Sequence, residues 1–226
     1  MAAPVPQAIT VASGTSATPT ADKPTGTGSG ELLIAWLTAR NNPAVTHDAG
    51  TSGFTQIGST HSNGQESVSC WFLVTGGSEP STYAFGLSAS ALFFLRIQRV
   101  TGVNVAAPIN TSAGSNGSSA TTLTCPTVTT TVADTLVYRL AGQTGGSTGD
   151  PRTKPTSTEE QANSSTGASG GHWSGVASIV QASAGASGTA DWTTSGGTSY
   201  GTMTVAIAPA AGGGGTILPH MMQYYA

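Results

Sequence analysis

Charge is what this chain has least of. Asp, Glu, Lys and Arg make up 8% of its 226 residues, against about 25% in an ordinary globular chain. Lys and Arg together number seven, the net charge is −3, and the cations form no run. Phosphate backbones are held by clustered cations, so the composition argues against a nucleic-acid partner. Long apolar runs are also missing. A stretch such as Ala91 to Leu95 falls far short of the roughly 20 residues a membrane helix needs, so no membrane partner is expected. The start, Met1-Ala-Ala-Pro-Val-Pro, has neither a basic segment nor a long apolar one, and implies a protein made and assembled inside a cell. No segment carries a 3.6-residue apolar period, which removes helical bundles and α/β folds. There are two cysteines, Cys70 and Cys125, each in a strand-like stretch. They read as buried free thiols, with a bridge between sheets as the open alternative.

What the chain has is Gly, Ser, Thr and Ala, with short apolar runs recurring between them. Thr suits strands, because its branched Cβ fits a pleated surface. Alternation is clear in several places. Phe93, Leu95 and Ile97 share one face and Phe94, Arg96 and Gln98 the other; Val68, Cys70 and Phe72 oppose Ser67, Ser69 and Trp71; Met203, Val205 and Ile207 oppose Thr202, Thr204 and Ala206. Period-two alternation predicts half-buried strands in antiparallel sheets. Strands are expected near 6–11, 31–39, 54–61, 66–75, 82–88, 92–101, 103–109, 119–127, 134–143, 155–162, 172–182, 187–193 and 200–208. Turn clusters separate them, among them Gly76-Gly-Ser-Glu-Pro80 and Gly114-Ser-Asn-Gly-Ser118. The expected fold class is all-β: an antiparallel β-sandwich, jelly-roll-like, with about a dozen strands.

The first half is loosely restated in the second. Glu31-Leu-Leu-Ile-Ala-Trp-Leu37 has a counterpart in Asp134-Thr-Leu-Val-Tyr-Arg-Leu140. Further on, Ser81 to Phe85 and Leu92 to Val100 match Gly188 to Trp192 and Tyr200 to Pro209. Residues 1–209 therefore read as one sandwich domain with pseudo-repeat halves about 5–110 and 119–209. Residues 210–215, Ala-Ala-Gly-Gly-Gly-Gly, form a flexible linker. Residues 216–226 follow as an apolar peptide holding Ile217, Leu218, Pro219, Met221, Met222, Tyr224 and Tyr225. Two readings fit it: it folds back on its own body, or it anchors the chain in a neighbouring subunit. The second is the expectation carried forward.

No constellation points to catalysis. His47, His61, His172 and His220 lack metal-ligand spacing. Gly145-Gly-Ser147-Thr-Gly149 and Gly167-Ala-Ser169-Gly-Gly171 match a nucleophile elbow in letters alone, without the strand-to-helix turn that gives the motif its meaning. Glu159 and Glu160 face opposite ways on a strand, so they cannot flank a sugar. No cofactor is expected. The four tryptophans, Trp36, Trp71, Trp173 and Trp192, fill a core or an interface. An exposed pair, Trp71 and Trp173, would instead stack sugars and make the chain a carbohydrate-binding adhesin for host glycans.

Several stretches carry a resemblance in their order: Gly30-Glu-Leu-Leu-Ile-Ala-Trp-Leu, Gly53-Phe-Thr-Gln-Ile-Gly, Val68-Ser-Cys-Trp-Phe-Leu-Val, Gly77-Ser-Glu-Pro-Ser-Thr-Tyr-Ala-Phe and Thr127-Val-Thr-Thr-Thr-Val-Ala-Asp-Thr-Leu-Val. Together they resemble a β-sandwich module common in tailed-bacteriophage virion proteins and related prophage regions. The resemblance runs over about residues 5 to 209 and brings no catalytic residues with it. It implies a non-enzymatic structural protein on the phage particle, a tail-tip or fibre component or a capsid decoration protein. Other virion proteins would be its partners and the virion its location, after assembly in the host cytoplasm. The same setting implies a homo-oligomer, with a trimer among the arrangements.

Overall fold

A computed structural model of the chain describes residues 1–47, 53–145, 153, 155, 159–166, 171–195, 197 and 199–211. It is all-β, and every strand pairing in it is antiparallel. In the first half lie β1 (Val5–Ser16), β2 (Thr20–Asp22), β3 (Leu32–Arg40), β4 (Val45–His47), β5 (Thr55–Ser62), β6 (Glu66–Val74), β7 (Thr82–Leu87) and β8 (Ala91–Thr101). The second half holds β9 (Ile109–Ser118), β10 (Thr122–Cys125), β11 (Thr129–Thr130), β12 (Thr135–Thr144), β13 (Glu159–Thr166), β14 (His172–Gln181), β15 (Gly185–Ala186), β16 (Ala190–Thr193) and β17 (Ser199–Ile207).

The duplication is plain in the strand order. One five-stranded sheet runs β1-β8-β3-β6-β5 and the other β9-β17-β12-β14-β13. Element for element these are the same topology. In the first half β7 pairs with β2 and β4, while in the second β16 pairs with β10. The two large sheets pack face to face. Leu32, Ile34, Trp36, Val68 and Cys70 meet Leu136, Tyr138, Leu140, Met203 and Val205 in one buried cluster. Trp36 and Tyr138 are in ring contact there, with centroids 5.9 Å apart.

The layering goes beyond one pair of sheets. Leu33, Ala35, Leu37, Trp71, Leu95 and Ile97 point away from the central cluster, yet they are buried against Tyr83 and Phe85 of β7. In the second half Ala141, Trp173 and Ala177 are buried against Leu123, Cys125 and Trp192 from β10 and β16. The body therefore has four layers, with both large sheets covered on both faces. This explains why β3 and β12 read as near-continuous apolar runs, the mark of strands buried on two sides. Pairing across the central interface sets β3 over β12, β8 by β14 and β6 by β17. Exchanging the halves maps this arrangement onto itself, so a pseudo-twofold axis runs between β3 and β12.

Three expectations need correcting in detail. The segment expected as a strand at 103–109 is a link as far as Pro108, with Val103 in a lone bridge to Pro209, and only Ile109 belongs to a strand, β9. The cluster Gly114 to Ser118, expected as a turn, lies in β9, so the second half starts at Ile109. Small residues are needed there because rings lie over the strand: a Cβ at Gly114 would overlap the His61 ring, and one at Gly117 would come within 2.5 Å of Tyr200 Oη. Last, the sequence match sets Glu31 against Asp134. The sheets instead make Leu32 equivalent to Leu136, since each faces the central cluster and pairs with Val100 and Val74 or with Ile207 and Val180. A one-residue slip exchanges the two faces of a strand.

Candidate functional site

Three places carry chemistry beyond plain apolar packing. The first lies on the pseudo-twofold axis. Arg40 pairs with Glu66, and its structural equivalent Thr144 pairs with His172. Glu66 and His172 therefore occupy the same position in the two halves, at the first residues of β6 and β14. They meet across the interface with Nε2 of His172 2.9 Å from Oε1 of Glu66, and both side chains are fully buried. The Thr144 hydroxyl lies 2.6 Å from Oε2 of Glu66 and 2.8 Å from the Gln65 carbonyl, and donates to one of them at a time. Burial pushes the Glu66 carboxyl above the usual carboxylate range; His172, Thr144 and Arg40 oppose that rise. An unpaired buried carboxylate would cost several kcal/mol, so the pair is a pin that binds only when the halves are in register.

Neighbouring groups extend the pin. Nη1 of Arg96 donates to Oγ of Ser174 at 2.6 Å, and Nη2 donates to the Ser174 carbonyl at 3.0 Å. Its guanidinium stands over the Phe94 ring at 5.3 Å, and that ring also touches His172. The Tyr138 hydroxyl donates to Oε1 of Gln98 at 2.9 Å. Glycine permits this closeness: a Cβ at Gly142 would stand 2.7 Å from Oε1 of Glu66 and 2.8 Å from Cγ2 of Thr38. In the outer layers, Arg139 donates to the carbonyls of Pro126, Ser187 and Gly188 and to the Thr204 hydroxyl, tying the second sheet to its cover.

The second place is an open depression of about 460 Å³ beside β4, lined by Val45, Thr46, Phe54, Thr55, Gln56 and Trp71. The burial of the tryptophans agrees with the core reading and speaks against the stacking alternative. Trp71 is 4% exposed, its Nε1 donates to Oγ of Ser69 at 3.1 Å, and its ring packs on Phe85. Trp173 is 1% exposed and packs on Trp192 with ring centroids 5.3 Å apart. At these exposures neither ring can serve as a stacking platform. The physical reason is the third and fourth layers, which cover the faces that a two-layer sandwich would leave wet.

The third place is the end of the body where the chain leaves it. The backbone of Ala210 donates to the Gly102 carbonyl, and Pro209 bridges to Val103. The N-terminus is pinned at the same end, its ammonium 3.0 Å from Oδ2 of Asp134. Ile217, Leu218, Pro219, Met221, Met222, Tyr224 and Tyr225 lie outside the described residues, as do Gly212 to Gly215 of the linker, His220 and the letter matches around Ser147 and Ser169.

Cys70 and Cys125 are free and buried. Burial raises both thiols, Cys125 to about 12, so neither ionises near neutral pH. Among the described residues no three His, Cys, Asp or Glu side chains gather as a metal site, and no helix is long and apolar enough to cross a membrane. The Glu66–His172 pin was missed in sequence: the two residues are 106 positions apart, and only the register-corrected repeat makes them equivalent. Comparisons with protein-family models, with curated proteins and with solved structures return no match.

Proposed function

We propose that this chain is a non-enzymatic structural protein of a bacteriophage particle, a tail-tip or fibre component or a capsid decoration protein, attached through its C-terminal peptide to a neighbouring virion subunit. What supports this reading is a duplicated four-layer body, locked across its halves by buried polar pins, whose described backbone ends at Ala211 ahead of a sequence, 216–226, that is rich in apolar residues and holds no Asp, Glu, Lys or Arg. Such a body is suited to bearing load and presenting surface. The order of motifs over about residues 5 to 209, which resembles virion sandwich modules, supports the same reading. The peptide supplies attachment: each of its large apolar side chains contributes roughly 1.5–3 kcal/mol on burial, before ordering costs. Its partners are other virion proteins, and the assembled form is a homo-oligomer.

The test is quantitative mass spectrometry of purified particles from the phage that encodes the chain. The protein is expected in fixed stoichiometry, with hundreds of copies for a decoration protein and a few for a tail part. Its absence from purified particles removes the reading.

A further inference from the structure

Each large sheet ends in two edge strands, β1 and β5 in one and β9 and β13 in the other. On one side of the body β5 and β9 close against each other: the His61 ring lies on Gly114, and the Asn116 side chain donates to the Ser62 carbonyl. The opposite side, beyond β8 and β14, is edged by β1 and β13. There β13 carries Glu159 and Glu160 and a register shift between Glu160 and Ala162. Charges and bulges of this kind keep an edge from pairing with another chain. By contrast β1 is guarded only at its start, by Pro6 and a register shift between Pro6 and Ile9. From Ile9 to Ser16 it runs in unbroken register with β8 and holds no charged residue. Among the described residues no strand pairs with its other edge. Val11, within that run, is 48% exposed.

We propose that β1 is the edge through which two copies of this chain join, antiparallel, so that two five-stranded sheets become one of ten strands. The proposal names the surface behind the homo-oligomer and rests on that part of the reading above, not on the virion location. An open strand edge is a row of unpaired N–H and C=O groups, whose spacing is matched by another extended backbone. Lack of charge selects a second copy among extended partners. A twofold axis sets a strand antiparallel to itself and brings its own charges close. A neutral run has nothing to repel its copy and nothing to attract a charged peptide. The size of the side agrees. Its eight paired residues run about 27 Å. In the next layer outward β2 lies on β1, where the Thr10 hydroxyl donates to the Asp22 carbonyl at 2.6 Å, and β13 edges the layer on the inner side. Two layer spacings add about 20 Å of depth. A side of those dimensions buries on the order of 1,000 Å² over both copies, which is what a specific dimer needs.

Sedimentation of the purified full chain tests this, beside Val11→Lys and Ser13→Lys. Both positions are exposed, so the variants keep the fold, which circular dichroism checks. A lysine on an edge strand blocks strand addition. The native chain is expected to sediment as a dimer and both variants as monomers. Val105→Lys, at an exposed valine outside β1, is expected to stay dimeric. Hydrogen exchange is expected to show the amides of residues 9–16 slowed in the native dimer and fast in either edge variant. A monomeric native chain overturns the proposal, as does an oligomer that both edge lysines leave intact. A chain ending at Ala211 is expected to dimerise like the full chain; monomers there would make the segment beyond Ala211 the partner strand and overturn the proposal. Absence of the protein from purified particles, with the lysine-sensitive dimer intact, removes the virion reading alone.

Discussion

Glu66 and Glu31 place two carboxylates under opposite forces. Glu31 accepts two hydrogen bonds from Arg99, at 2.6 and 2.7 Å, and one from the Gly28 amide. The Arg99 guanidinium holds its carboxyl below the usual range. A lowered folded-state pKa gives stability that is present above the unfolded value and lost as pH falls through the folded one. Glu66 has the reverse sign. Its raised pKa gives stability that is present below the unfolded value and lost as pH rises through the folded one. Replacement of Glu66 by Gln keeps the hydrogen-bonding shape and removes the ionisation. Denaturant melts between about pH 5 and about pH 8 are therefore expected to show the native chain losing stability relative to Glu66→Gln as pH rises. A constant difference across that range would mean that the buried carboxyl does not titrate with folding.

At the scale of elements, β9 decides where the second half begins, and it was the strand least legible in sequence. Its stretch Ser112-Ala-Gly-Ser-Asn-Gly-Ser118 carries Gly and Ser at turn-like density and almost no apolar residue. The structure supplies the reason: the His61 ring of β5 lies on Gly114 and the Tyr200 ring of β17 lies on Gly117. Close approach selected the glycines, and local propensity could not reveal it. Gly114→Ala is expected to cost about 1–3 kcal/mol as an overpacking substitution. His61→Ala in the same chain should recover most of that loss. A double-mutant cycle by chemical denaturation checks it, and additive costs would place the strain elsewhere. By contrast β3, β6, β8, β12 and β17 were all legible, because apolar alternation or continuous apolar runs fix the element type directly. The same pattern could not by itself show that Trp71 is buried. Alternation names two faces, but it does not say whether a further layer covers the second one.

For the whole molecule, the duplication joins two sandwiches through their larger sheets and then lets the two copies diverge on the axis. A symmetric pair of identical halves would set Glu against Glu or His against His at the central pin. A fused chain can set Glu66 against His172 instead. The repeat was legible in sequence as strand order, while its register and the four layers were not, because both are set by tertiary contacts that local alternation does not encode, such as the pairing of Leu32 with Val100 and the packing of Trp173 on Trp192. What the repeat leaves over is the segment after Ala211, and the account assigns attachment to it. The most direct measurement is particle incorporation of a chain ending at Ala211, beside the full chain. If the segment after Ala211 is the attachment, the shortened protein is expected to be soluble, to keep the thermal stability of the folded body and to be absent from purified particles. Incorporation at the level of the full chain would contradict it.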